Sequence, residues 1–318
     1  MTKIKVDVIS GFLGAGKTSL LSKYAAYRIK LGEKIAIIEN EFGEVGIDGM
    51  FLKNEGLSVY EIVNGCICCS LKGDMISTLK NLGLESKVNR VIIEPTGIFM
   101  LNEIYEIIAE PEIASYYEIG AVVTVVDGKN YLKQQKKYAW FFENQIKWAH
   151  RLVLSKTGLI DRDTIVKTIS ALQSISTAHD IEAGEWKAFT PEDWERIFAG
   201  NNKPKQDGHL HCNGCCGHEH SHSNEHRHEG FTGVSIPSSR AFNEYSLIAT
   251  IKMLSSGIFG DIPRAKGIVA DETKGSMEFD FVNGDIDIRH RDNAAEKEFV
   301  SFIGTGIQKG ILLKLFEE

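Results

Sequence analysis

The sequence lacks both a long hydrophobic run and an excess of positive charge. No apolar stretch approaches the about 20 residues that a membrane-spanning helix needs, so membrane association is not expected. Lysine and arginine total 36 against 43 aspartates and glutamates, which gives a formal net charge of −7 at pH 7. This balance argues against a general nucleic-acid binder. The chain opens on a predicted strand, without the pattern of a signal peptide, and we expect a cytoplasmic protein.

Cysteine is also scarce, and it is confined to two short clusters. The six cysteines of the 318 residues are Cys66, Cys68, Cys69, Cys212, Cys215 and Cys216. Adjacent cysteines are poor disulfide partners, and a cytoplasmic protein keeps its thiols reduced. Clustered thiols in such a chain indicate metal binding in preference to disulfides.

A phosphate-binding motif lies near the start of the chain. Residues 11–18 read GFLGAGKT and fit G-x-x-x-x-G-K-[ST]. A predicted strand (Lys3 to Ile9) precedes the motif and a predicted helix (Lys17 to Lys30) follows it, which places phosphates at a helix N-terminus. We expect the Lys17 ammonium to reach the β- and γ-phosphates and the Thr18 hydroxyl to bind Mg²⁺. The candidate nucleotide-binding residues here are Gly11, Gly14, Ala15, Gly16, Lys17, Thr18 and Ser19.

The rest of the chain divides by composition into three parts. Strands and helices alternate over residues 1–198, which predicts an α/β P-loop NTPase domain with a mostly parallel sheet. Residues 199–230 are polar and rich in histidine and cysteine, and we expect a metal-binding linker. Residues 231–318 return to strand and helix patterns and predict a smaller C-terminal α/β domain. In the first part we also expect helical stretches near Ile98–Ala109 and Tyr131–Ala149.

Two acidic segments follow predicted strands of the first part. Glu94 ends the strand Arg90–Glu94, where P-loop enzymes carry a carboxylate that holds Mg²⁺, and Gly97 could offer its N–H to the γ-phosphate. The segment Asn40–Asp48 is acidic and interrupted by glycines, as a nucleotide-sensing switch would be. Its Glu41 is our first candidate for orienting the attacking water, with Glu44 as the alternative. An ordinary acidic loop is the alternative for this segment.

A third loop lies where a GTPase reads its base. Ser155-Lys156-Thr157-Gly158 takes the place of Asn-Lys-x-Asp, and the Lys156 stem could cover the base. Gly158 has no carboxylate to accept the hydrogen bonds of guanine, so GTP and ATP both remain candidate nucleotides. Asp161 is a nearby acid that could compensate.

The two cysteine clusters differ in their surroundings. Cys66, Cys68 and Cys69 lie between a predicted strand and a predicted helix, and three thiolates with an open fourth position suit metal transfer. The second cluster sits among seven of the ten histidines, and its candidate ligands are His209, His211, Cys212, Cys215, Cys216, His218, His220, His222, His226 and His228. Thiolate and imidazole ligands favour Zn²⁺, with Co²⁺, Ni²⁺ and Fe²⁺ left open.

Taken in order, these motifs resemble those of the CobW family of P-loop GTPases, which act as metallochaperones or metal-insertion factors. The resemblance rests on residues 11–18, 40–48, 66–69, 94–97 and the histidine-rich tract, with RAKG at residues 264–267. It implies GTP and Mg²⁺ binding coupled to a metal ion at the first cysteine cluster. It also implies delivery of the ion to a client metalloprotein or cofactor-biosynthesis enzyme, and a homodimer is left open. An ATP-dependent NTPase and a non-catalytic metal buffer are the competing interpretations.

Overall fold

The computed structural model describes residues 3–39, 58–61, 70–85, 88–176, 180–200, 231–295 and 297–317. The strands of these residues form two sheets, one on each side of residues 201–230 along the chain.

The first sheet has seven strands, all paired in parallel, in the spatial order β3-β2-β4-β1-β5-β6-β7. The strands are β1 (Ile4–Gly11), β2 (Ile35–Glu39), β3 (Ser58–Glu61), β4 (Arg90–Glu94), β5 (Tyr117–Asp127), β6 (Arg151–Ser155) and β7 (Ile181–Glu182). Their Val- and Ile-rich sequences suit a sheet that is covered on both faces. Val8 and Ile9 of β1 accordingly enter hydrophobic clusters on opposite faces. The predicted parallel α/β fold is confirmed.

Helices connect these strands. They are α1 (Lys17–Lys30), α2 (Ser70–Glu85), α3 (Asn102–Ala109), α4 (Pro111–Ala114), α5 (Tyr131–Gln134), α6 (Ala139–Lys147), α7 (Arg162–Ile175) and α8 (Pro191–Ile197). Side chains close several helix N-termini: Asp161 accepts from Thr164 N, and Thr190 forms a capping box with Asp193. Among the described helices, none combines the length and apolar character needed to cross a bilayer.

The second sheet is mainly antiparallel, in the order β12-β11-β10-β13-β8, with β9 pairing parallel to β10. Its strands are β8 (Thr232–Pro237), β9 (Ala241–Phe242), β10 (Asp261–Asp271), β11 (Ser276–Val282), β12 (Asp285–Arg291) and β13 (Phe299–Thr305). Two helices, α9 (Glu244–Met253) and α10 (Lys309–Glu317), complete this part. Phe279, Phe302 and Phe316 are fully buried in its own core.

Two helix predictions were wrong in extent. The stretch Tyr131–Ala149 forms two helices, because the backbone leaves helical geometry at Tyr138. There the Tyr138 ring packs against Phe12 and its hydroxyl donates to Asp261 Oδ2 at 2.6 Å, a long-range contact that local periodicity does not reveal. Helix α3 begins at Asn102 and not at Ile98, since residues 96–99 form a hydrogen-bonded turn.

Candidate nucleotide site

The glycines of the first loop shape a cradle between β1 and α1. Gly16 caps α1 in the left-handed region with a φ of +95°, and Gly14 has a φ of +70°. Side chains are disfavoured in this conformation, so glycine is the residue type that lets the loop turn here. Successive N–H groups in such a turn form a concavity that suits a phosphate. The donor set therefore fits the predicted phosphate site.

The other predicted residues of this loop lie where the motif requires. Gly11 ends β1, and a Cβ there would lie 2.4 Å from the carbonyl oxygen of Val125. Ala15 is fully buried, whereas Ser19 is exposed on the first turn of α1. Lys17 is 6% exposed at the start of α1, so its stem is packed within the protein.

A carboxylate from the neighbouring strand meets the first turn of α1. The Thr18 hydroxyl donates to Glu94 Oε1 at 2.9 Å. Glu94 ends β4, which pairs with β1 in the centre of the sheet. A hydroxyl and a carboxylate side by side are hard oxygen donors of the kind that Mg²⁺ prefers. This pair therefore fits Mg²⁺.

Gly97 lies directly against the phosphate loop. A Cβ at this position would come within 2.7 Å of the Leu13 backbone nitrogen and 2.8 Å of its Cα. A larger residue would push the two loops apart, so the absence of a side chain at residue 97 keeps them in contact. The arrangement brings the segment after β4 next to the predicted phosphates.

The loop after β6 approaches the same cradle from the other side. Ser155 is buried, and its hydroxyl donates to the carbonyl oxygen of Val126 at 3.3 Å. Lys156 has a φ of +58°, and its Nζ lies 2.8 Å from Asp127 Oδ2. Ser155 Cβ is 3.7 Å from the Cβ position of Gly16. The predicted base-reading residues therefore lie beside the phosphate loop.

Sequence reasoning missed Asp127 and Trp186. Asp127 ends β5 as Glu94 ends β4, so a buried acid at a strand end was the available signal; it pairs with Lys156 and accepts from the backbone of Lys129. Trp186 gives no such signal. Its Nε1 donates to the carbonyl oxygen of Leu154 at 3.0 Å, and its ring lies 3.4 Å from the Cβ position of Gly16.

All these groups lie at one edge of the first sheet, at the carboxyl ends of parallel strands. This is where open α/β sheets bind their ligands. A family model for the nucleotide-binding domain of CobW, HypB and UreG proteins matches residues 5–181, more than half of the chain. The chain belongs to the CobW/HypB/UreG family. Its matched region contains the phosphate loop, Glu94 and the loop after β6.

Two curated relatives agree with this assignment. A zinc chaperone CobW from Sinorhizobium sp is 34% identical over 187 residues, covering 50% of this chain and 52% of that protein. A zinc-regulated GTPase metalloprotein activator 1 from Schizosaccharomyces pombe is 30% identical over 250 residues, covering 69% of this chain and 58% of that protein. The CobW-family chain thus spans about half the length of the curated relatives it matches. The crystal structure of the Zn(II)-bound YjiA GTPase from E. coli aligns over 99% of this chain and 98% of that one, at 19% identity and a TM-score of 0.48.

Several predicted residues of this CobW-family chain lie outside the described residues. They include the segment Asn40–Asp48 with Glu41, the first cysteine cluster, and the histidine-rich tract with the second cluster. Within the described ranges, no group of three or more His, Cys, Asp or Glu side chains could hold a metal ion. The predicted transition-metal ligands therefore stay predictions.

The nearby acid Asp161 is engaged in capping a helix. Its Oδ1 accepts the backbone N–H of Thr164 at 2.7 Å and caps α7. This backbone hydrogen bond holds the pKa of the Asp161 carboxyl below its ordinary value. The acid that we considered as compensation for Gly158 is thus engaged at a helix N-terminus.

Proposed function

We propose that this chain is a GTP-hydrolysing metallochaperone that binds a transition metal, with zinc as the first candidate, and delivers it to a client metalloprotein or cofactor-biosynthesis enzyme. The observation that carries the hydrolytic part is the Thr18–Glu94 contact of 2.9 Å at the end of the glycine cradle. The zinc-chaperone names of the relatives support the metal part. Reduced thiols suit a cytoplasmic site of action.

Each group of the cradle has a role in phosphoryl transfer under this proposal. Backbone N–H groups of the phosphate loop and of Gly97 bind the triphosphate, and Lys17 neutralises charge that develops on the transferred group. Thr18 and Glu94 would hold Mg²⁺, which would offset the negative charge of the phosphates. Glu41 orients the attacking water.

The thiolates of Cys66, Cys68 and Cys69 would bind the cargo ion. Three thiolates leave one coordination position open, through which a client ligand can enter. The histidine-rich tract within residues 199–230 would gather ions for this site. Residues 1–198 would then act as the GTPase domain and residues 231–318 as a second domain that contacts its phosphate loop, as Asn283 contacts Leu13.

A zinc titration with a competing chromophoric chelator tests this proposal. We expect one tight Zn²⁺ per chain whose affinity differs at least about tenfold between GDP and a non-hydrolysable GTP analogue, a difference of about 1.4 kcal/mol. The combined change Cys66→Ser, Cys68→Ser and Cys69→Ser should abolish this tight Zn²⁺ binding. A variant lacking residues 205–229 serves as the matched control and should keep the tight Zn²⁺.

Two results would contradict the proposal. If the variant lacking residues 205–229 loses the tight Zn²⁺ and the triple cysteine variant keeps it, the result would favour a metal buffer. A Zn²⁺ affinity that is the same with and without nucleotide would leave two unrelated sites on one chain. Phosphate release from GTP, lost in Lys17→Ala, is the parallel measurement of hydrolysis.

A further inference from the structure

Gly158 has no side chain at the position where a GTPase carries the aspartate that binds guanine, and the carboxylate of another acid lies close to this position. A Cβ built on Gly158 lies 3.1 Å from Glu185 Oε1 and 4.0 Å from Glu185 Cδ. The oxygens of an aspartate lie about 2.4 Å from its own Cβ by ordinary bond lengths. A carboxylate oxygen of Glu185 therefore lies close to the space that an aspartate at residue 158 would use.

The topology explains how a residue 27 positions further along the chain reaches this place. Strands β6 and β7 are parallel neighbours, so the loops that follow them leave the sheet at the same edge. Glu185 lies in the loop after β7, and its carbonyl oxygen accepts the N–H of Ala188 at 2.9 Å in a short 3₁₀ turn. The loop is thus in position to replace a group lost from the loop after β6.

Trp186 fixes this loop against the candidate nucleotide site. Its indole Nε1 donates to the carbonyl oxygen of Leu154 at 3.0 Å, which ties the turn to β6. Its ring lies 3.4 Å from the Cβ position of Gly16 at the start of α1. Glu185 is therefore attached to a backbone that is held between β6 and the phosphate loop.

The oxygens of the Glu185 carboxylate are available to accept hydrogen bonds from a ligand. The side chain is exposed, and with the other described residues it makes no hydrogen bond or ion pair. Asp161, by contrast, uses an oxygen to cap α7. Of these two acids, Glu185 is the one whose two carboxylate oxygens both lack a hydrogen-bond partner among the described residues.

We propose that Glu185 is the residue that selects guanine in this chain, by accepting the N1–H and 2-amino hydrogens of the base. This inference rests on the proposed function. Adenine has an acceptor at N1 and no amino group at C2, so it offers neither donor to the carboxylate. A site that is built to hydrogen-bond a donor rejects an analogue that lacks it, because the acceptor is then left unpaired.

Competition against a fluorescent GDP measures the dissociation constants of GTP, ATP and xanthosine triphosphate in the full chain. Glu185→Ala should weaken GTP binding about 10- to 100-fold and leave ATP binding within about threefold, as expected for loss of hydrogen bonds to a charged acceptor. In Glu185→Gln the side-chain amide can donate to the C2 carbonyl of xanthine, so the preference should move from GTP toward xanthosine triphosphate.

Two further variants separate this inference from its alternatives. Asp161→Asn is the matched control: asparagine also caps helices, so the ratio of GTP to ATP affinity should stay unchanged. The double variant Gly158→Asp with Glu185→Ala moves the carboxylate back to residue 158 and should restore the preference for GTP.

The outcomes distinguish the two proposals. A wild-type chain that binds neither GTP nor ATP refutes the proposed function. Equal binding of GTP and ATP by the wild type, or an unchanged ratio in Glu185→Ala and Glu185→Gln, overturns the role of Glu185 and leaves nucleotide hydrolysis standing. A loss of GTP preference in Asp161→Asn alone would give the role to Asp161. An unchanged circular dichroism spectrum confirms that each variant is folded.

Discussion

The substitution Gly14→Ala tests a contact between the phosphate loop and the second sheet. Gly14 has a φ of +70°, and a Cβ at this position would lie 2.0 Å from Val282 Cγ1 at the end of β11. The next residue, Asn283 in the turn after β11, donates through its side-chain amide to the Leu13 carbonyl oxygen at 3.4 Å. The added methyl group therefore meets two obstacles, an unfavourable backbone conformation and a stiff side chain.

The size of each obstacle can be worked out separately. Placing an L-residue in the left-handed region costs about 1–2 kcal/mol. Overpacking against Val282, whose branched side chain has a restricted χ1, adds about 1–3 kcal/mol. We expect Gly14→Ala to lower the free energy of unfolding by about 2–5 kcal/mol in total.

A matched control isolates the packing contribution. Gly32, just after α1, also has a positive φ of +80°, but a Cβ there meets nothing within 4 Å. Gly32→Ala should therefore show the backbone contribution alone. Adding Val282→Ala to Gly14→Ala removes the crowding methyl group and should recover about 1–3 kcal/mol relative to the sum of the single changes.

Urea denaturation followed by circular dichroism gives the unfolding free energies of the wild type, the three single variants and the double variant at a common m value. The reasoning is refuted if Gly14→Ala destabilises no more than Gly32→Ala. It is equally refuted if the effects of Gly14→Ala and Val282→Ala add within about 0.5 kcal/mol, because residues without contact behave additively.

Three further predictions concern charges of the first sheet. Glu94→Gln removes the charge beside Thr18, so Mg²⁺-dependent phosphate release should fall about 100-fold while binding of GDP without Mg²⁺ persists. Arg90→Met leaves the fully buried Asp7 without its cation and should cost about 3–5 kcal/mol in urea denaturation; a loss below about 1 kcal/mol would contradict this. Burial alone would raise the pKa of Glu33, but the hydrogen bond and charge of Arg90 outweigh it and hold that pKa below its ordinary value. The stability that ionised Glu33 contributes is thus fully present above the ordinary carboxyl pKa, and it is lost as pH falls through the lower pKa of the folded state. Glu33→Gln should therefore flatten the fall in the free energy of unfolding between about pH 5 and pH 3.

The local sequence pattern predicted correctly those helices and strands whose apolar residues are also the buried ones. Helix α1 has the predicted bounds, as does the strand β4, because buried parallel strands are continuously apolar and glycine marks both ends of α1. The break at Tyr138 escaped prediction, since it depends on contacts with Phe12 and Asp261 from distant parts of the chain.

Buried polar groups were harder to predict than buried strands. Asp7 is fully buried in the middle of β1, where it accepts from the Tyr24 hydroxyl at 2.6 Å and from the N–H of Ala121 at 2.7 Å. Burial and the neighbouring Asp7 charge raise the pKa of the Tyr24 hydroxyl far above its ordinary value, so it stays a donor. A buried carboxylate in an apolar strand is stable only when such partners satisfy it. These partners lie on other helices and strands, so the sequence of β1 alone does not reveal them.

The same distinction between local and long-range information applies to the candidate site. The phosphate loop is contiguous in sequence, so its motif predicts it directly. Recognition of the base depends on loops that come together because their strands are neighbours, and a group lost from the loop after β6 can be supplied by the loop after β7. The Gly158 position therefore suggests loss of guanine selectivity when the motif is considered alone. Considered with Glu185 Oε1 at 3.1 Å from the Cβ position of Gly158, it supports our proposal that a carboxylate on the adjacent loop binds the guanine base.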